Sequence, residues 1–195
     1  MSKMDIIKKF LTVIQESQPA PAPDRSINDN YEPVDKEEEN IMATSEEETV
    51  KELARNFAQA LTERDFEHLD GRAEYYFYTV DYLIELIKNN DEQSTIKLFK
   101  ENKIKSKYEN CEFLSIIFSA DREQAEVVYK IMTSLLNADD KYFKELNKKN
   151  SKKTRISQGT PFSTTYTLLV KKEKGTWKID KVEVSEENIK ITTSP

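Results

Sequence analysis

Apolar residues recur at helical spacing over the N-terminal half of the chain and at alternating spacing over the rest. Met4, Ile7, Leu11 and Ile14 fall on one helical stripe, which Ile6, Phe10 and Val13 widen. This predicts a short amphipathic helix over residues 1–17. A helix of that length is marginal alone in water, so its apolar face needs a surface to cover it. The spacing predicts a second helix from Ser45 to Glu63. Ser45 and Glu48 form a capping box, and Val50, Leu53, Ala54, Phe57, Ala60 and Leu61 line one face. A third is expected over Gly71–Lys88, with Tyr76, Val80, Leu83, Ile84 and Ile87 inward, and a short fourth around Ile96, Leu98 and Phe99.

From Glu112 the period changes. Glu112–Ala120 reads as a mostly buried strand, with a turn at Asp121–Gln124. Ala125, Val127, Tyr129 and Ile131 alternate as a second strand should, to about Leu135. A rival exists, because Val128, Met132, Leu135, Tyr142 and Leu146 also fit one long helix capped by Asp121. The β-branched and aromatic residues of Val127–Ile131 favour the strand. Phe162, Thr164, Tyr166, Leu168 and Val170 alternate next. Trp177, Ile179, Val182 and Val184 follow a turn at Lys172–Gly175, and the two segments make the clearest hairpin in the chain.

Between these patterns lie two polar stretches. Residues 18–44 hold Pro19, Pro21 and Pro23, then Asp35, Glu37, Glu38 and Glu39. Such composition favours extended conformations and buries too little surface to order itself, so it reads as a flexible tether. Residues 139–160 crowd Lys141, Lys144, Lys148, Lys149, Lys152, Lys153 and Arg155, opposed mainly by Glu145. They read as an exposed insertion, with one helical turn around Tyr142 and Phe143. Lys148, Lys149, Lys152, Lys153 and Arg155 are its candidate anion-binding residues. The expected organisation is an amphipathic helix (1–17), a linker (18–44), one domain (45–187) and a tail (188–195).

That order predicts an α+β fold: N-terminal helices packed in a curved, largely antiparallel four-stranded sheet, preceded by a flexible arm. The stretch Ala54-Arg55-Asn56-Phe57-Ala58-Gln59-Ala60-Leu61, with Asp65-Phe66, resembles the first helix and following step of the nuclear-transport-factor-2-like superfamily. Gln124-Ala125-Glu126-Val127-Val128-Tyr129 resembles a middle strand, and Gly175-Thr176-Trp177-Lys178-Ile179-Asp180-Lys181-Val182 resembles the last one. The resemblance spans residues 48–185 and implies a cone closed over helices. That superfamily holds enzymes, small-molecule binders and assembly modules, so the fold leaves function open. One subgroup, the assembly factors of conjugative type IV secretion, reaches such a domain through a membrane span that this chain lacks.

Charge and chemistry narrow the choice. A formal net charge of -6 disfavours nonspecific nucleic-acid binding, and no aromatic residues interleave with the lysines of the insertion to stack on bases. No apolar run approaches the roughly 18 residues of a membrane span, although peripheral contact through residues 1–17 stays open. A single cysteine, Cys111, rules out an intramolecular disulfide and reads as a small buried residue. With no signal peptide either, the location expected is cytoplasmic. There is no His/Cys cluster for a metal and no Gly-rich phosphate loop, so no metal and no cofactor is expected. His68, the only histidine, has Asp65 and Asp70 nearby, and Tyr75, Tyr76, Tyr78 and Asp81 follow. Such a dyad could move protons in an isomerase or dehydratase, but its place between two helices predicts a surface site. The leading expectation is a non-catalytic assembly module, whether of a bacterial secretion system or a phage. Its partner would be another protein or a second copy, docked through Ile7, Phe10, Leu11 and Ile14.

Overall fold

Helix α1 runs over Lys36–Thr62 in the computed structural model, which describes residues 36–69, 73–149 and 155–191, with side chains over 45–69, 73–148 and 155–185. The helix therefore starts nine residues ahead of the predicted capping box. Ser45 is interior to it, and its carbonyl accepts from Thr49 Oγ1 at 2.9 Å. Glu37, Glu38 and Glu39, expected in the tether, belong to its first turns. Residues 1–35 of the predicted arm, Ile7, Phe10, Leu11 and Ile14 among them, lie outside the described residues.

The compact unit Met42–Pro195 is α+β. After α1 come β1 (Arg64–Asp65), a 3-10 turn (Ala73–Phe77), α2 (Val80–Lys88), α3 (Asp91–Glu101), β2 (Lys105–Phe118) and β3 (Gln124–Asn137). Helix α4 (Asp140–Lys149), β4 (Pro161–Glu173) and β5 (Thr176–Ile191) complete it. Among the described residues the sheet has five strands, not four, in the order β1-β2-β3-β4-β5, each antiparallel to the next. The added strand is the two-residue β1, too short to leave an alternating pattern. Register shifts in β2–β3 at Tyr108/Asn110 and Phe113/Ser115, and in β4–β5 at Leu169/Val170, mark irregularities of the kind that bend strands. The sheet curls into a half-barrel.

The β4–β5 hairpin forms as its pattern predicts. Lys174 and Gly175 both have positive φ (53° and 78°), as a two-residue type I′ connection demands. β3 also settles the rival reading: it pairs with both neighbours through Ser134, and the helix begins only at Asp140. β2 starts seven residues before the predicted Glu112, because Lys105–Cys111 is too polar to look buried. The predicted Gly71–Lys88 helix is broken at Thr79. There the backbone N–H bonds Ile179 O of β5, and Oγ1 bonds Asp180 Oδ1 while capping Tyr82 N. Tyr76, expected inward, is 73% exposed.

Side chains from α1 fill the concave face. Val50, Ala54, Phe57 and Ala58 pack with Tyr75, Tyr78 and Leu83 against Val127, Tyr129, Ile131, Leu168, Val170, Trp177 and Ile179. A second, smaller core joins Ile104, Leu135, Ile156 and Phe162, covered by Phe99 and by Tyr142, Phe143 and Leu146 of α4. The insertion is thus a ten-residue helix rather than a single turn, because three apolar residues at i, i+1 and i+4 give it a face to bury.

Charges join α1 to the strand ends. Glu46 bonds Lys172 Nζ at 2.7 Å and Arg122 Nη1 at 3.2 Å. Lys172 lies over Trp177 and Arg122 over Phe118. The hydrogen bond from Lys172, chiefly, holds the Glu46 carboxyl below its ordinary range. A carboxylate with a lowered folded-state pKa binds its proton more readily in the unfolded chain. Its contribution is therefore complete above the ordinary glutamate value and lost as pH falls through the lowered one. Glu46→Gln is expected to lower the melting temperature slightly at neutral pH and to flatten its acid limb. Equal acid limbs in melts of the two proteins would show that Glu46 carries none of the pH dependence.

Candidate functional site

Two places hold the chemistry that the sequence singled out. The first is the loop after α1. His68 Nδ1 lies 3.7 Å from Asp65 Oδ2, but the imidazole is 80% exposed. Asp65 is held by Lys105 Nζ at 2.6 Å and by the backbone N–H of Glu67, and these bonds lower its pKa, that of Lys105 most. Asp65, Glu67 and His68 bring ligand atoms within 4.8 Å of one another. They do so at the open surface, with Asp65, the half-buried member of the group, already paired to Lys105. Asp70 lies outside the described residues. The dyad is thus a surface contact.

The concave face is where a catalytic cavity would be. Phe57 meets Tyr78 edge-on at 5.7 Å, Phe113 stacks on Tyr129 at 5.7 Å, and Trp177 meets Phe118 at 5.9 Å. These rings occupy the space themselves. The buried carboxylate nearby, Glu74, is ion-paired with the buried Arg64. Tyr129 is fully buried and its hydroxyl has no hydrogen-bond partner among the described residues; burial, above all, raises its pKa well beyond the ordinary phenol range. Burial likewise pushes Tyr166 up to about 12. Phenols so placed hold their protons and are poor bases at neutral pH. Cys111 is half-buried rather than buried; among the described residues β3 alone pairs with β2 over that stretch. Burial first, then a hydrogen bond with Cys111, raises the Tyr108 phenol.

The second place is α4 and the chain that returns beside it. Asn147 is its organiser. Its Nδ2 donates to Ile156 O at 2.8 Å and Phe143 O at 2.7 Å, and its Oδ1 accepts from Ile156 N at 2.6 Å. With Ile156 itself fully buried, this clamp holds the next-door Arg155 against the helix. Lys144, Asn147, Lys148 and Arg155 line an open hollow of about 360 Å³. Among the described residues no carboxylate pairs with Lys144, Lys148 or Arg155. Of the predicted anion-binding residues, the structure therefore brings Lys148 and Arg155 together. The side chain of Lys149, and all of Lys152 and Lys153, lie outside the described residues. Sequence reasoning missed Lys144 and Asn147 as members of the site. Lys144 and Lys148 stand four apart, a signal that becomes visible only once the segment is known to be helical.

Among the described residues no helix is long and apolar enough to cross a membrane. No protein-family model matches the chain, and no curated protein matches it. Among solved structures, the chain is similar to the intermembrane space region of the chloroplast protein ARC6, at 18% identity over 73% of this chain and 95% of that one. The TM-score is 0.35, too low to carry a role or a family across. The cytoplasmic location expected from the sequence is corrected on this point: the solved region comes from an intermembrane space, and no compartment is assigned in its place.

Proposed function

We propose that this chain is a non-catalytic binding and assembly module of the nuclear-transport-factor-2-like kind, whose segment 1–17 docks on a partner protein or a second copy. The observation that carries the reading is the concave face. It is filled by aromatic and aliphatic side chains of α1 and the sheet. An isomerase or dehydratase would need an acid and a base converging on an open cavity. Here the buried acid is neutralised by Arg64 and the histidine faces solvent. Docking is assigned to Ile7, Phe10, Leu11 and Ile14 because their spacing places them on one helical stripe.

Removal of residues 1–20 tests this. Native mass spectrometry should show complexes of the full chain that the shortened chain cannot form, while the melting temperature of the remaining domain stays where it was. A truncation that instead costs about 3 kcal/mol or more of stability would make segment 1–17 part of the core. Complexes that survive truncation would place docking elsewhere.

A further inference from the structure

We infer that the hollow between α4 and Arg155 is a docking site for a carboxylate-rich peptide segment of a partner protein. The inference rests on the binding-module reading in taking the ligand to be protein.

Several observations select this ligand. The three cations of the hollow have no carboxylate partner among the described residues, and Asp140 and Glu145 of the same helix are not in its lining. Elsewhere on the surface, cations are commonly paired: Lys51, Lys105, Lys107, Lys130, Lys171, Lys172 and Lys181 each meet an acid within 3.5 Å. The site is also built. Asn147 spends its amide on Ile156 and Phe143, and so fixes the backbone that carries Arg155. The hollow is lined on one side and open on the other, so it cannot enclose a small molecule as a ligand pocket does. Among the described residues no aromatic ring lines it, which removes the stacking that holds single-stranded nucleic acid. Tyr142, Phe143 and Leu146 of α4 turn into the second core, so the helix has no apolar face left to insert into a membrane.

Spacing then favours an extended peptide. Lys144 and Lys148 are one helical turn apart, about 5–6 Å between Cβ atoms. In an extended chain, side chains two residues apart point the same way at a separation of about 6.6 Å. Acidic residues at every second position would therefore meet both lysines, with Arg155 as a third, forked contact.

The test uses the full chain and a short synthetic peptide with glutamate at every second position, serine between. Titration followed by backbone amide NMR should move the signals of residues 144–148 and 155–156. Affinity should fall as salt rises from about 0.05 to 0.3 M. The triple variant Lys144→Glu/Lys148→Glu/Arg155→Glu should bind at least about tenfold more weakly. Lys97→Glu/Lys100→Glu on α3 should bind as the parent does. Equal affinity of parent and triple variant, or no binding at low salt, would overturn the proposal. So would a vesicle of anionic phospholipid or an oligothymidylate that binds through the same three residues more tightly than the peptide. These substitutions leave segment 1–17 untouched, so this site and the docking assigned to that segment can fail separately.

Discussion

Glu74→Ala is expected to destabilise the domain by about 3–5 kcal/mol, read as a shift of the denaturant midpoint at unchanged slope. The Glu74 side chain is fully buried and that of Arg64 is 5% exposed. Arg64 sits at β1, immediately after α1, and also donates from Nε to Leu61 O at 2.9 Å. The pair thus ties the end of α1 to the 3-10 turn, across a stretch whose residues 70–72 lie outside the described part. Removing the carboxylate leaves a guanidinium in a place that water barely reaches. The cost arises mainly from that stranded charge rather than from the lost attraction. The double variant Arg64→Met/Glu74→Leu, which removes both charges and keeps the volume, should therefore recover most of the loss. A Glu74→Ala cost below about 1 kcal/mol would be that of a solvated pair and would place both groups in water.

Tyr129 should behave in opposite ways under two substitutions. Tyr129→Ala removes a fully buried ring stacked on Phe113 and tilted against Tyr166 at 6.2 Å, and should cost about 3–5 kcal/mol. Tyr129→Phe keeps the ring and removes a hydroxyl that has no hydrogen-bond partner among the described residues. An unsatisfied buried polar group is itself a penalty of about 1–3 kcal/mol, so this change should raise stability by about 1 kcal/mol. The same pair of variants bears on function. A phenol kept for proton transfer would be placed against an acid or a base, and its loss would not be rewarded. A marked loss of stability in Tyr129→Phe would mean that the hydroxyl is satisfied and the concave face is wetter than its packing indicates.

Much of the fold was legible because burial on one face leaves a period. The alternation of Ala125, Val127, Tyr129 and Ile131, and the turn expected at Lys172–Gly175 between two alternating runs, named β3 and the β4–β5 hairpin, whose connection is Lys174–Gly175. The errors fall where that period is absent. β1 is two residues long, and the first half of β2 exposes Lys105 and Lys107. Ser45 carries every local sign of a cap, yet the helix runs through it. The cap rule describes what a side chain can do for an exposed amide, and it says nothing where the preceding residues are themselves helical.

The candidate site divides in the same manner. Its charge was readable in composition, since a run of lysines needs no structure to be seen. Its geometry was not. Lys148 and Arg155 are seven residues apart in sequence, and they share one hollow because Asn147 bonds the backbone of Ile156 and Tyr142, Phe143 and Leu146 bury themselves in the second core. His68 and Asp65 are close in sequence and almost within reach of each other, yet both stay at the surface, where Lys105 claims the carboxylate.

By itself, then, the order of residues determined an α+β chain with an antiparallel sheet and a strongly basic segment. These are local properties, set by which side chains must leave water within each short window. Only the tertiary structure decided that the concave face is full, that Glu74 is neutralised by Arg64, and that three cations converge beside α4. Each of those depends on groups brought together across turns and strands. No window along the chain contains the distance between them.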